Sequence, residues 1–223
     1  MKNLKNKFKI CILISALSMV GAFKMNAQKA EFGLRFMPTF SSLNLKTSSG
    51  GKVTGDATLG FGFGAIVGLN LYDHVGIQVE GIYSKLTQKY KEQDTERKVE
   101  LKYFNIPLLL SLNTGKHGPV NFNIVAGPQM GISLGSKIEV NGVDSSHAVV
   151  SVKKGDLGLA YGAGLDFALN EMKTFRLGIG FRGVLGLFDI SDNNGSTTTD
   201  SYYFLDRTHI KTYSGYFGLS YLF

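Results

Sequence analysis

The last twelve residues of the chain, 212–223, alternate strictly between two kinds of side chain. One set is almost wholly apolar and ends on the carboxy-terminal aromatic; its members are Tyr213, Gly215, Phe217, Leu219, Tyr221 and Phe223. A period of two places alternate side chains on opposite faces of a β-strand. Because the pattern recurs in seven other places, the chain is limited to an all-β fold whose strands each have one apolar face.

Seven further segments show this alternation. They span residues 30–41, 59–71, 75–84, 99–112, 120–134, 157–169 and 175–187. Each is long enough to cross a bilayer as a tilted strand, which takes about 9–11 residues. In the fourth segment the apolar residues occupy odd-numbered positions up to Tyr103 and even-numbered positions from Ile106 onward. This change predicts a β-bulge near Pro107.

The links between the eight segments alternate in length. Three links are short, at residues 72–74, 113–119 and 170–173. The other four are long and polar, at residues 42–57, 86–98, 136–155 and 189–210. Outer-membrane barrels have this asymmetry, with short periplasmic turns and longer external loops. An even number of strands would also return both ends of the chain to the periplasmic side.

The first residues have the order of a secretory signal peptide. Four lysines precede an apolar run over residues 10–22, and small residues end the segment near Ala27. The run is shorter than the roughly 20 apolar residues of a spanning helix. We therefore predict a signal peptide over residues 1–27 and a mature domain over residues 28–223, with residues 20–22 as the alternative cleavage site. The only cysteine, Cys11, lies in this leader.

Composition says little about partners once the leader is set aside. The whole chain carries +7, but five lysines and no acids lie in residues 1–27, which leaves 19 basic and 17 acidic residues, or +2. This balance does not indicate nucleic acid binding. Mean hydropathy is near zero, but lipid-facing and lumen-facing residues of a membrane barrel cancel in such an average.

Together these patterns predict an all-β, eight-stranded antiparallel up-and-down transmembrane β-barrel in the cell outer membrane. The last strand resembles the carboxy-terminal assembly signal of bacterial outer-membrane barrels. The predicted barrel assembly signal therefore comprises Phe217, Leu219, Tyr221 and Phe223. A soluble, lipocalin-like barrel is the alternative, and it would turn the apolar faces inward and leave many glycines on its surface.

Six ionisable residues fall on faces predicted to point into the barrel. They are Glu31, Arg35, Glu80, Asp166, Arg176 and Arg182. They either line a pore or binding site, or form a pairing network that closes the lumen, since buried charges are tolerated only when paired. Eight strands enclose an interior just wide enough for side chains to fill, which favours the network. Asp166 and Arg176 flank the same short turn and are a predicted pair.

Candidate catalytic and metal-binding residues are sparse. The four histidines lie in predicted turns and loops, at His74, His117, His147 and His209. The acidic residues near the predicted outer rim are Asp189, Asp192 and Asp206. They faintly resemble the carboxylates at the rim of outer-membrane proteases. Loop residues of this kind are more often solvated. We therefore predict no enzymatic activity, no metal site and no cofactor.

Several short motifs carry a family resemblance. They are Asn-Ala-Gln at the leader end, Gly-Ile-Gln-Val-Glu at 76–80 with Tyr83-Ser84, Tyr-Phe-Asn-Ile-Pro-Leu-Leu-Leu at 103–110, Ala-Gly-Pro at 126–128 and Tyr-Gly-Ala-Gly-Leu at 161–165. Over almost the whole mature chain the sequence resembles the PorT-like outer-membrane β-barrel family of Bacteroidetes-type bacteria. The resemblance implies an eight-stranded outer-membrane barrel but not one function, since members include a gliding-type secretion component.

The predicted role is structural or interactive. The chain would anchor or present its external loops to an envelope protein, with its lumen filled by side chains. Tyr202, Tyr203 and Phe204 in the fourth external loop are the first candidate contact surface. The alternatives are a narrow porin-like channel for small solutes, whose arginines would line water, and a PorT-like component of a secretion system. Outer-membrane lipid and the barrel assembly machinery are the other expected partners.

Overall fold

The computed structural model describes residues 30–42, 44–47, 52–54, 56–92, 95–140, 143–144, 154–187, 203–204 and 210–223. Within these ranges every regular element is a β-strand. No helix there is long and apolar enough to cross a membrane. The predicted signal peptide over residues 1–27, with Cys11, lies outside the described residues, as does Tyr202.

Eight long strands form the body of the protein. They are β1 (Ala30–Ser42), β5 (Leu59–Tyr72), β6 (Val75–Glu92), β7 (Thr95–Asn113), β8 (Val120–Val140), β10 (Gly155–Ala168), β11 (Phe175–Gly186) and β13 (Lys211–Leu222). Short strands lie in the links between them. These are β2 (Asn44–Thr47), β3 (Lys52–Thr54), β4 (Asp56–Ala57), β9 (Val143–Asp144) and β12 (Tyr203–Phe204).

The eight long strands close into a barrel. They pair antiparallel in the order β10-β11-β13-β1-β5-β6-β7-β8, and β8 pairs with β10 to complete the ring. The first and last strands meet, so Phe36 of β1 lies between Phe217 of β13 and Phe63 of β5. Each long strand covers one alternating segment of the sequence. The predicted eight-stranded antiparallel barrel is confirmed.

The alternation of side chains becomes an alternation of burial. Along β13, Tyr213, Phe217 and Leu219 are exposed, whereas Ser214 and Ser220 are buried. The outward faces of the other strands likewise carry Leu, Phe, Val and Ile, and most inward positions are polar or glycine. An apolar outside and a polar inside suit a barrel in hydrocarbon. This arrangement is the reverse of the lipocalin-like alternative.

The two ends of the barrel differ. The short-turn end carries the links at residues 73–74, 114–119 and 169–174, and here Phe223 donates its backbone N–H to the carbonyl of Ala30 at 2.9 Å. The long-loop end carries the other links. One of these differs from prediction, because the region 86–98 is mostly a paired hairpin in which Lys91 pairs with Glu96.

Three neighbouring strands extend well past the others at the long-loop end. β6, β7 and β8 have 18, 19 and 21 residues, whereas β11 has 12. At about 3.3 Å per residue the excess corresponds to roughly 20–30 Å of additional strand. We call residues 85–92 of β6, 95–102 of β7 and 135–140 of β8 the outer ledge.

The bulge lies at the base of the outer ledge. Lys102 pairs with Gly135 but the next residue, Tyr103, pairs with Ser133, so Leu134 is the extra residue of β8. Gly135 has a φ of 136°, a conformation that glycine adopts without steric cost. The extra residue inverts the parity of β8 beyond it, as bulges do.

The predicted bulge near Pro107 was wrong. The register of β6 with β7 runs unshifted from Val79↔Leu108 to Ile82↔Asn105, across the position of Pro107. The apolar parity changes for another reason: Leu101 and Tyr103 point into the lumen and are 1% exposed. Inward and outward side chains therefore alternate along β7 without interruption. What changes along the strand is whether the inward side chains are apolar.

Candidate functional site

Three predicted lumen residues meet at the centre of the barrel, and we call them the central clamp. Arg35 donates to Glu80 over 2.6 Å between Nη1 and Oε1. Arg182 donates to both carboxylate oxygens of Glu80, at 2.9 Å and 3.3 Å. Gln78 also donates to this carboxylate. The Glu80 side chain is 1% exposed, so both of its oxygens are satisfied within the protein.

The clamp joins opposite walls of the barrel. Glu80 lies on β6 and Arg182 on β11, and these strands are four positions apart in the ring of eight. Arg35 comes from β1, which lies between them. Strand alternation turns all three side chains inward at neighbouring heights. The lumen is therefore crossed along its diameter by a bidentate arginine–carboxylate pair, the strongest geometry for such contacts.

Tyr216 contacts the clamp and lies in a space left by two glycines. The guanidinium carbon of Arg35 lies 4.2 Å from the centre of the Tyr216 ring, a cation–π contact. A Cβ added at Gly164 would lie 1.8 Å from the Tyr216 hydroxyl, and one at Gly180 would lie 2.6 Å from it. These two glycines provide the space in which the ring lies.

A second cluster closes the short-turn end, and we call it the inner plug. The turn between β7 and β8 places Lys116 against Glu31 of β1 in a salt bridge. Arg176 of β11 donates to the backbone carbonyls of Lys116 at 2.9 Å and Gly118 at 3.2 Å. A lysine from a turn and an arginine from the wall therefore hold the turn inside the mouth of the barrel.

The six predicted lumen residues fall into these two clusters. Glu80, Arg35 and Arg182 form the clamp, and Glu31, Asp166 and Arg176 line the plug. Asp166 and Arg176 meet differently from prediction, because Arg176 donates to the backbone carbonyl of Asp166 at 3.0 Å. The Asp166 carboxylate accepts from the side-chain amides of Asn121 at 3.0 Å and Asn123 at 2.8 Å.

The outer half of the lumen retains a small cavity above the clamp. Its volume is about 40 Å³, and its lining includes Glu80, Arg182, Ser84, Asn105, Asp156 and Thr212. A cavity of this size is large enough to hold ordered water. An apolar cluster of Leu109, Val125, Ala160 and Val184 fills part of the interior.

The predicted assembly signal lies on the lipid-facing side of β13. Phe217, Leu219 and Phe223 are exposed, and Tyr221 is half-buried. Tyr221 packs edge-on against Phe175 and Phe223, each with ring centres 4.9 Å apart. These residues form an aromatic cluster at the short-turn end, where the first and last strands are joined.

Removal of the Phe223 side chain should impair assembly more than stability. We expect Phe223→Ala to lower the yield of folded barrel several-fold, while the molecules that do assemble unfold at nearly the wild-type urea concentration. The reason is that the Phe223 side chain is 62% exposed in the folded state. The measurement is the heat-modifiable fraction of the outer-membrane band. Leu169→Ala, at a similarly exposed position near the same end, is the control, and equal yields of the two variants would contradict the prediction.

The described residues offer little for catalysis or metal binding. Among them no three His, Cys, Asp or Glu side chains are grouped to hold a metal ion. His74 makes a 3.1 Å contact between Nδ1 and the carbonyl of Asn113, which docks one short turn on another. His147, His209, Asp189, Asp192 and Asp206 lie outside the described residues.

A closed barrel with an apolar exterior, a charged interior and unequal ends defines a transmembrane β-barrel protein. The sequence model of the outer membrane protein beta-barrel domain family matches residues 26–192. That range covers more than half of the 223-residue chain, and the chain belongs to this family. It is accordingly an outer-membrane protein.

Solved structures are similar to this chain at low sequence identity. The outer membrane protein OprG from Pseudomonas aeruginosa is 15% identical with a TM-score of 0.54, over 89% of this chain and 98% of that chain. Neisserial surface protein A is 16% identical with a TM-score of 0.48, over 86% and 97% of the two chains. No curated protein sequence matches this chain. At these identities the similarity concerns the fold alone.

Proposed function

We propose that this protein is a non-conducting outer-membrane anchor whose long-loop end binds another protein of the cell envelope. We infer that the short-turn end faces the periplasm, as in other outer-membrane barrels. The central clamp carries the proposal, because a buried ion pair along the diameter of the lumen leaves no continuous path for solutes. The inner plug closes the same lumen a second time.

The outer ledge suits a binding role. Its three paired strands extend past the rest of the barrel, so they would hold their links away from the lipid on a rigid support. Part of the contact surface predicted from the sequence belongs to a separate small sheet, since Tyr203 and Phe204 pair with Thr47 and Lys46. Loops that are held by sheet structure lose less conformational entropy on binding than free loops do.

The proposal predicts that the purified barrel does not conduct. In planar bilayers the wild-type protein should give no stepwise current, whereas a general porin incorporated from the same detergent should give regular steps. Heat-modifiability of each preparation verifies that the barrel is folded. Reproducible wild-type steps would contradict the proposal and make the narrow porin-like channel the function, with the cavity above the clamp as its outer vestibule.

We also infer export by a signal peptide over residues 1–27 and insertion through the barrel assembly machinery. The basic and apolar order of the leader and the aromatic carboxy-terminal strand support this route. The mass of the protein purified from outer membranes tests it. A mass corresponding to residues 28–223 is expected, and an uncleaved chain would contradict it.

The finer family assignment remains our proposal on sequence motifs. The stretches at 76–80 and 103–110 lie on β6 and β7, and they supply Glu80 of the clamp and the buried Tyr103. They support a PorT-like barrel, and we propose that it has no catalytic activity. If the protein is also a secretion component, deleting its gene should stop export of secreted proteins while leaving the outer membrane otherwise intact.

A further inference from the structure

We propose that the outward side of the outer ledge binds phosphate groups of outer-leaflet lipids, with Lys85 and Lys102 as the central ligands. This surface is separate from the lumen and lies on the lipid side of β6, β7 and β8. It concerns the contact of the barrel with its membrane and does not depend on whether the lumen conducts.

The two lysines lie where the apolar surface ends. On the outward face, Tyr83 of β6 pairs with Phe104 of β7, and Phe104 pairs with Ile132 of β8. Two residues further along each strand, Lys85 pairs directly with Lys102. The change from aromatic side chains to ammonium groups marks the boundary between the hydrocarbon core and the lipid headgroups, where the phosphates are located.

The local charge is positive and arranged around one carboxylate. Glu100 lies 2.7 Å from Lys85 Nζ and 3.6 Å from Lys102 Nζ. Its side chain is 7% exposed, whereas the two lysine side chains are 32% and 34% exposed. Like charges on directly opposed residues repel each other. Glu100 compensates one of the two positive charges and holds both ammonium groups together at the surface.

The bulge brings further ledge charges to the same side. Beyond Gly135 the parity of β8 is inverted, so Lys137 lies opposite Glu100 and Glu139 opposite Lys98. Lys98 and Glu139 form a salt bridge of 3.0 Å. Among outward-facing ledge residues with described side chains there are five lysines and two glutamates: Lys85, Lys89, Lys98, Lys102, Lys137, Glu100 and Glu139.

Outside the outer ledge, the described side chains at this end include the separate lysines Lys154 and Lys211. On β13 the corresponding outward lysine is Lys211, which pairs with Leu185 on one side and with Ser42 on the other. Lys211 is therefore a matched single lysine outside the ledge. A phosphate-bearing headgroup would gain two adjacent donors at Lys85 and Lys102 but one donor at Lys211.

Retention of lipid in native mass spectrometry tests the proposal. The folded protein is mixed with phosphatidic acid or phosphatidylcholine of the same acyl chains, and bound lipids are counted. We expect the wild type to prefer phosphatidic acid, and Lys85→Gln/Lys102→Gln to reduce this preference on the order of tenfold, since each lysine contributes several-fold to binding of an anionic headgroup. Lys211→Gln should leave the preference unchanged.

Three results would overturn the proposal: an unchanged preference in the double variant, an equal loss in Lys211→Gln, or displacement of the lipid by millimolar inorganic phosphate. Displacement would assign the site to free anions instead of membrane lipid. The double variant leaves Glu100 without its two cations. If it does not fold for this reason, the triple variant Lys85→Gln/Glu100→Gln/Lys102→Gln replaces it. Heat-modifiability confirms folding, and the triple variant is expected to show the same loss of preference.

Discussion

Glu80→Gln is expected to destabilise the folded barrel by about 3–5 kcal/mol. The substitution keeps the size of the side chain but removes the charge that both Arg35 and Arg182 contact. Two guanidinium groups then stay buried in the lumen with one neutral acceptor between them. Equilibrium urea unfolding in lipid vesicles, followed by the heat-modifiable band, measures the change in the free energy of unfolding.

Glu171→Gln supplies the matched control, since Glu171 is exposed in the turn between β10 and β11 and exposed charges contribute little. The double variant Glu80→Gln/Arg182→Gln should lose less than the sum of its single variants, because it removes an unpaired charge along with the pair. A change below about 1 kcal/mol in Glu80→Gln would show that water enters the centre of the barrel and solvates the arginines.

Gly164→Ala should destabilise the barrel by about 1–3 kcal/mol or more, because the new methyl group overlaps the Tyr216 hydroxyl and overpacking has costs of this size. The Tyr216 ring must then leave its position, which removes its contact with Arg35. Thermal unfolding monitored by the heat-modifiable band gives the size of the effect. A change in tyrosine fluorescence is expected alongside it.

Gly155→Ala on the same strand is the matched control, since no atom lies within 4 Å of a Cβ built there. Tyr216→Phe removes the hydroxyl that the Gly164 methyl would overlap. Gly164→Ala should therefore be less harmful in the Tyr216→Phe background than in the wild type. Equal effects in the two backgrounds would mean that another contact requires the glycine, such as the Ile179 carbonyl 2.9 Å from the same Cβ.

The barrel itself was predictable from the sequence because alternation is a local property. The alternation within each strand shows which of its faces contacts lipid. Eight such strands, joined by alternately short and long links, are compatible with few other folds. The inward position of Glu80 and Arg182 follows from the same parity. Their mutual contact does not, because it depends on which strands stand opposite each other once the ring closes at β8 and β10.

Features that depend on turns and on pairing at a distance were not predictable. Lys116 lies in a short polar turn, and nothing in its neighbours shows that the turn folds into the lumen. The Lys89–Lys98 region is highly charged, which is typical of solvated loops, yet its backbone is paired as a hairpin. Leu101 and Tyr103 have the composition of a lipid-facing segment, and only the neighbouring strands show that they face inward.

The central clamp also bears on the order in which the barrel is built. Arg35, Glu80 and Arg182 come from the first, third and seventh strands of the ring in chain order, and Arg182 reaches its carboxylate only when the last strands are in place. A partly inserted sheet would leave the Arg182 guanidinium without its carboxylate in hydrocarbon, at about 2–4 kcal/mol near the bilayer midplane. Arg35 and Glu80 can pair within the first three strands, but Arg182 gains its carboxylate only on closure. Insertion of the last strands should therefore be cooperative and half-built sheets short-lived.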